Sequence, residues 1–154
     1  MRVTLLIKES YLETIRNSIN SHMFKTLWAN VDGKKEDIID NGRRSCGVFT
    51  SGILIWFGLI HKRHATISGT LKDMKNSEWF EIFEPKIGCV LHWEKQNGNG
   101  ESNEHIGFYM GDDTAISTST TERTPIEHHW TYGVENNKPK RKVIKMYWHP
   151  KLDL

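Results

Sequence analysis

Cys46 and His105 are the two residues whose types and setting could do chemistry together. Cys46 ends a polar, glycine-bearing approach, Arg44-Ser45-Cys46-Gly47-Val48-Phe49-Thr50-Ser51, and the strongly apolar run Gly52 to Ile60 follows it. A thiol at the start of a buried helix meets unpaired backbone N–H groups and the positive end of the helix dipole. Both favour the thiolate, the nucleophilic form, so a lowered thiol pKa is expected. A cysteine nucleophile also needs a base, usually histidine, and a group that orients it. Of the 8 histidines, His105 is the candidate. It opens an apolar stretch just after a Gly/Asn-rich loop, which places it at a sheet edge or a cleft rim.

Composition narrows the other classes of function. The chain has 154 residues, one domain's worth, with 37% apolar and 26% charged residues, the balance of an ordinary globular protein. A net charge of +2 is too weak a bias to argue for nucleic acid. The tight basic run Lys138-Pro139-Lys140-Arg141-Lys142 reads as a solvated loop. The second cysteine, Cys89, is not at metal-type spacing from Cys46, and two cysteines make no disulfide framework. A single Cys46–Cys89 bridge, with a redox role, stays open at this level. No metal or cofactor is expected. The N-terminal apolar patch is cut off by charges too early for a signal peptide, and Val48 to Ile60 is too short to span a bilayer. A cytoplasmic location, or export by another route, is the expectation.

The elements that must position the pair follow from periodicity. Leu12, Ile15, Ile19, Met23 and Leu27 recur at helical spacing and predict an amphipathic helix from Ser10 to about Trp28, with Ser10 as N-cap and Glu13 at the capping-box position. Residues 29 to 45 read as a polar connector with turns at Asp32-Gly33 and Asn41-Gly42, anchored by Ile38 and Ile39. Ser45 is a candidate N-cap for the central helix, predicted from Gly47 to about Ile60 and apolar nearly all round, hence buried. His61, Lys62, Arg63 and His64 follow at its C-terminal end, where positive charge suits the dipole. A short helix is predicted at Thr70 to Lys75.

The period then changes. Strands are predicted at Cys89–Glu94, His105–Gly111, Thr114–Ser119, Pro125–Tyr132 and Lys142–Trp148, with weak alternation at Trp79–Phe83. Gln96 to Asn103 reads as a flexible loop, Asp112-Asp113 as a turn and Glu135 to Lys140 as a loop. The segments 29–45 and 94–104 are expected to flank the cleft. Trp28, Trp79, Trp93 and Trp130 are expected in the core. Helices first and antiparallel strands after them argue an α+β fold over 1–154, with 1–44 as a helical extension packed on it.

Three segments resemble the NlpC/p60 cysteine peptidases, a papain-like family. Ser45-Cys46-Gly47-Val48-Phe49-Thr50-Ser51 looks like its nucleophile motif, usually Asp-Cys-Ser before an apolar helix. Pro85-Lys86-Ile87-Gly88-Cys89-Val90-Leu91-His92-Trp93 is similar to its Pro-x-x-Gly-Asp strand, and His105-Ile106-Gly107-Phe108-Tyr109-Met110-Gly111 to its histidine strand. The matched part runs from Ser45 to Ser119, roughly half the chain. Ser45 and Cys89 stand where the family has Asp.

The resemblance implies a papain-like fold and a cysteine hydrolase acting on peptide or peptidoglycan-like amide bonds. Cys46 would be the nucleophile and His105 the base. The family's third polar residue, usually His, Asn or Gln, falls at Ser117; His128 or His129 from the next strand is the alternative. The competing readings are a non-catalytic binding module of the same fold, and an amidase or acyltransferase with a different substrate.

Overall fold

A computed structural model describes residues 1–98 and 101–154. The first helix, α1 (Ile7–Asn17), buries Tyr11 and Ile15. It starts earlier and stops well short of the predicted Trp28. Its N-cap is Leu6, with no side-chain cap, so Ser10 lies inside the helix. The end has a local cause. Ser18 Oγ donates back to the Ile15 carbonyl at 2.6 Å, and Asn20 adopts φ +62°. Short polar side chains offer the backbone turns in place of helix. The Asn20 N–H donates to the Pro125 carbonyl at 2.9 Å, which ties the departing chain to the sheet.

The connector is more ordered than its composition suggests. Strands β1 (Trp28–Val31) and β2 (Lys34–Asp37) pair across Asp32-Gly33, both at positive φ (+50° and +84°) as a tight two-residue hairpin turn requires. Asp37 closes the segment, since its carboxylate accepts the N–H groups of Leu27, Ile39 and Asn41. Those bonds hold its pKa below the usual carboxylate value against the opposing effect of burial. Ile39 anchors the segment in the core, whereas Trp28 is exposed, under Lys35 rather than in the core.

Helix α2 (Cys46–Trp56) is the buried central helix, packed on the sheet. It ends before the predicted Ile60. Gly58 (φ +64°) turns the chain, the Gly58 N–H donates to Ile55 and the Leu59 N–H to Leu54, the paired bonds of a glycine C-terminal stop. The next helix, α3 (Ile67–Asn76), extends the predicted one, capped by Thr66, whose hydroxyl accepts the Gly69 N–H.

The remaining strands are β3 (Phe80–Ile82), β4 (Val90–Gly98), β5 (Glu101–Gly111), β6 (Thr114–Thr118), β7 (Pro125–His129), β8 (Val134–Glu135), β9 (Lys138–Pro139) and β10 (Val143–Trp148). Six form one antiparallel sheet in the order β3-β10-β4-β5-β6-β7. The expected loop Gln96–Asn103 is instead the far end of the β4–β5 ladder, with Gln96 opposite Asn103; residues 99 and 100 of it lie outside the described residues. The predicted strand over Pro125–Tyr132 stops at His129, because Tyr132 takes φ +62° and its N–H closes a turn on the His129 carbonyl. The predicted loop Glu135–Lys140 carries the small β8–β9 hairpin. The α+β class is as expected, with three α-helices among the described residues and helix α2 against the sheet. Among the described residues no helix is long and apolar enough to cross a membrane.

An aromatic chain joins the two layers. Phe24 meets Phe49 of α2 edge-on at 5.0 Å, Phe49 meets Phe108 of β5 at 5.5 Å, and Phe108 meets Tyr11 of α1 at 5.8 Å. Edge-to-face pairs at these separations are favourable and hold the layers in register. The buried Tyr11 hydroxyl is satisfied by the Gly88 carbonyl at 2.7 Å.

The segment between α2 and α3 is held by one carboxylate. Asp73, almost fully buried, accepts the N–H groups of His61 and Lys62, contacts His64 Nε2 at 2.7 Å and accepts the Ser77 hydroxyl. His61 and His64 therefore serve Asp73 rather than the helix dipole. Despite burial, these partners hold the Asp73 pKa well below the usual carboxylate value, His64 foremost among them. A carboxyl lowered in the folded state stabilises fully above its unfolded pKa, near ~4, and that contribution is lost as pH falls through the folded value. Urea denaturation at pH 6 and at descending pH checks this. Asp73→Asn should lower stability at pH 6 by about 2 kcal/mol and flatten the acid slope below pH ~4; equal slopes in both proteins would contradict the assignment.

Candidate active site

The first turn of α2 and the middle of β5 meet at one cleft of about 580 Å³, the size that takes a short peptide or a comparable small molecule. Cys46 and His105 both line it. The connector contributes Ile38, Arg43 and Arg44, the segment before α3 contributes Ala65 and Thr66, and Arg141 closes the sheet side. Of the flanks expected at 29–45 and 94–104, the first lines the cleft with those three connector residues and the second with Gln96, Asn103 and Glu104. The wall held by Asp73 was not anticipated.

Cys46 is the first residue of α2, half-buried. Ser45 occupies the N-cap position but does not cap, because its hydroxyl donates to the Gly42 carbonyl at 2.9 Å. The first helical bond runs from the Phe49 N–H to the Ser45 carbonyl, so the N–H groups of the opening turn remain available. Gly47 allows this turn to press against the facing wall, since a Cβ there would fall 2.8 Å from the Thr66 carbonyl carbon and 3.0 Å from the Ala65 oxygen.

Burial raises the Cys46 thiol to about 11. The N–H groups of Ile106, Gly47 and Cys46 itself, and the Arg141 charge, pull the other way without overcoming it. The lowered pKa expected from the helix start is not what the site has, because desolvation of the anion outweighs the helix-end donors. His105 is likewise pushed down to about 3, by burial first and then by the charges of Arg141 and His128. Burial thus disfavours both the thiolate and the imidazolium. Among the described residues no hydrogen bond joins thiol to ring. They are neighbours through the backbone, since the Ile106 N–H that faces the thiol belongs to the residue after His105.

The structure brings Ser117 and His128 to His105, and leaves His129 out. His105 Nε2 lies 2.9 Å from Ser117 Oγ, and Ser117 Oγ lies 2.6 Å from His128 Nε2. The three side chains come from adjacent strands β5, β6 and β7 on one sheet face. Gly107 makes the approach possible, since a Cβ there would sit 2.6 Å from Ser117 Cβ and 3.2 Å from the Trp93 ring. Trp93 floors the cluster, 5.3 Å from His105 and 5.7 Å from His128 between ring centres. Successive strand residues face opposite sides, so His129 points away from His128. Its Nδ1 accepts the N–H groups of Thr131 and Gly133 and organises the turn.

Two residues of the site escaped sequence reasoning. Tyr132 stacks on His128 at 4.2 Å and 18°, with its hydroxyl 3.3 Å from Ser117 Oγ. Arg141, read as part of a solvated basic run, turns inward. Its Nε donates to the Glu94 carbonyl at 3.1 Å and an Nη to the Asn103 carbonyl at 2.8 Å, and its guanidinium lies 5.8 Å from the Tyr132 ring centre. No local pattern marks one cation of a run as the inward one; strand pairing decides it. Both cysteines are free thiols, and Cys89 is wholly buried in the core. Among the described residues no group of three or more His, Cys, Asp or Glu is placed to hold a metal ion.

Compared with models of known protein families and with curated proteins, the chain matches none.

Arg141 gives a direct electrostatic test. Its charge lowers the thiol pKa, so Arg141→Gln should displace the pH curve of Cys46 alkylation by iodoacetamide to higher pH, followed by peptide mapping to separate Cys46 from Cys89. Coincident curves would show that the guanidinium charge does not act on the thiol.

Proposed function

We propose that the protein is a cysteine hydrolase that cleaves an amide bond through an acyl-enzyme on Cys46. The observation that carries this reading is the placement of a thiol at the open N-terminus of a buried helix in the same cleft as His105, with the following residue's N–H against the sulfur. A helix start bearing a thiol, laid against an antiparallel strand bearing a histidine, is also the arrangement a papain-like fold would have. The three motif resemblances support membership of an NlpC/p60-like group and a peptide substrate of the peptidoglycan type.

Burial disfavours charge on thiol and imidazole alike, which favours general-base attack over a preformed ion pair. The Cys46 S–H proton passes to His105 Nδ1, the ring nitrogen not engaged by Ser117, as sulfur bonds to the substrate carbonyl carbon and the C=O electrons move to oxygen. The Cys46 N–H at the helix start stabilises that oxyanion, and Arg141 adds positive charge nearby. The imidazolium then gives its proton to the departing amine as the C–N bond breaks, leaving a thioester. Water attacks the thioester, His105 takes a proton from it, and the released thiolate is reprotonated. Thiol–imidazole contacts are often loose without substrate and tighten in the complex.

Acetylation by p-nitrophenyl acetate tests the nucleophile without knowledge of the natural substrate. Wild-type protein should gain one acetyl group on Cys46 by mass spectrometry and then lose it by hydrolysis. Cys46→Ala should gain none at that peptide, and His105→Ala should acylate about 100-fold or more slowly at neutral pH. A wild-type Cys46 that stays unacylated would favour the binding-module reading. Acyl transfer to an added amine in preference to water would favour an acyltransferase.

A further inference from the structure

The polar groups behind His105 form a chain whose proton positions follow from hydrogen-bond chemistry. His128 Nδ1 lies 2.8 Å from the His129 carbonyl oxygen. A carbonyl only accepts, so Nδ1 carries the proton. In neutral imidazole the other nitrogen is then an acceptor, and burial disfavours the charged form of His128. Ser117 Oγ, 2.6 Å from that nitrogen, must donate its single proton there. Its lone pairs are left to accept, one from His105 Nε2 at 2.9 Å and one from the Tyr132 hydroxyl at 3.3 Å. His105 is therefore protonated at Nε2, and its Nδ1 bears the lone pair.

We propose that Ser117 and His128 act as one orienting unit for His105, in which the His129 carbonyl sets the His128 tautomer, His128 sets the direction of the Ser117 hydroxyl, and that hydroxyl holds His105 with Nδ1 as the basic nitrogen. This deepens the hydrolase reading and rests on it for its functional meaning. Ser117 alone is ambiguous as an orienter, because a free hydroxyl can donate to His105 Nε2 as readily as accept from it. In the first case His105 would carry its proton on Nδ1 and could not take one from the thiol. His128 removes the ambiguity. It never touches the cleft chemistry, so it is a positioning residue.

The rest of the surroundings serve the same end. Tyr132 stacks on His128 and fills the second acceptor site of Ser117. The groups that face His128 are Ser117 and His105 from the neighbouring strands, Trp93 beneath, His129 on its own strand, and Tyr132 and Arg141 from the segment that follows. No carboxylate is among these, and the Arg141 guanidinium beside it further disfavours a positive His128. If His128 did gain a proton on Nε2, it would donate to Ser117, reverse the hydroxyl and move the His105 proton to Nδ1. Acid would then remove the base by moving the His105 proton from Nε2 to Nδ1, with no net charge added to that ring.

Nitrogen NMR of histidine-labelled whole protein at pH 7 reads the tautomers directly. His105 should show Nε2–H and His128 Nδ1–H, each as a single form. Either ring in the opposite form, or averaging between the two, would overturn the proposal whether or not the protein is an enzyme. The kinetic arm uses p-nitrophenyl acetate. Ser117→Ala and His128→Phe should each slow Cys46 acetylation about tenfold, the double variant should be no slower than either, and His128→Gln, which restores an acceptor, should recover most of the rate. Wild-type rates in Ser117→Ala and His128→Phe beside a slow His105→Ala would sink the orienting unit and leave the nucleophile reading standing. No acetylation of wild-type Cys46 would sink the nucleophile reading, and the tautomers would still decide the proton positions.

Discussion

The cleft depends on one close approach, that of the first turn of α2 to strand β5. The helix must bring the Cys46 sulfur against the Ile106 N–H while packing Phe49 on Phe108. Gly47 removes the side chain that would hold the turn off Ala65 and Thr66, and Gly107 removes the one that would push Ser117 and Trp93 apart. Packed interiors tolerate little misfit, so a methyl group at either place is felt. The apolar length of α2 then makes the approach rigid, since the helix is buried along Val48, Phe49, Ile53 and Leu54. Asp73 fixes the opposing wall with main-chain N–H bonds, which position the backbone as well as the side chains.

That closeness has an electrostatic consequence. The same burial that aligns Cys46 and His105 disfavours charge on either, so the thiol stands high and the imidazole low. Donors at the helix start and the Arg141 guanidinium oppose this for the thiol, and they are the groups that would meet negative charge as it develops on an attacked carbonyl. Burial of this kind disfavours the charged form of both groups at once. The polar back wall of the site is correspondingly well satisfied, because an unpaired buried polar group costs more than a paired one returns. Ser117 uses its donor and both acceptor positions, and His128 is bonded at both nitrogens.

Much of the architecture was legible in local pattern. The apolar run after Cys46 is a buried helix, and the β-prone segments from Val90 to Trp148 build an antiparallel sheet. Boundaries failed where one residue's backbone overrode periodicity. Asn20 and Ser18 end α1 within a still-periodic stretch, and Gly58 ends α2 within a still-apolar one. The Gln96–Asn103 segment looked like a loop by composition, yet its described part pairs as strand, since ladder hydrogen bonds do not depend on side-chain polarity. At the site, Cys46, His105, Ser117 and His128 were all marked. Tyr132 and Arg141 were not, because neither lies in a pattern that distinguishes it from a turn aromatic or a surface cation.

The chain by itself determines which residues can carry chemistry and which side of each element is buried, because residue type, helical period and strand alternation are local properties. It also orders them, with the thiol at a helix start and the histidine on a later strand. Only the tertiary structure decides that His105, Ser117 and His128 meet in one hydrogen-bonded chain. Their contact needs β5, β6 and β7 to pair in a single register, which couples residues 11 and 12 positions apart through a sheet rather than a sequence. Only the tertiary structure decides the charge state as well. Whether a thiol at a helix start is thiolate or thiol turns on how much water the fold leaves around it, and desolvation is a property of the assembled core.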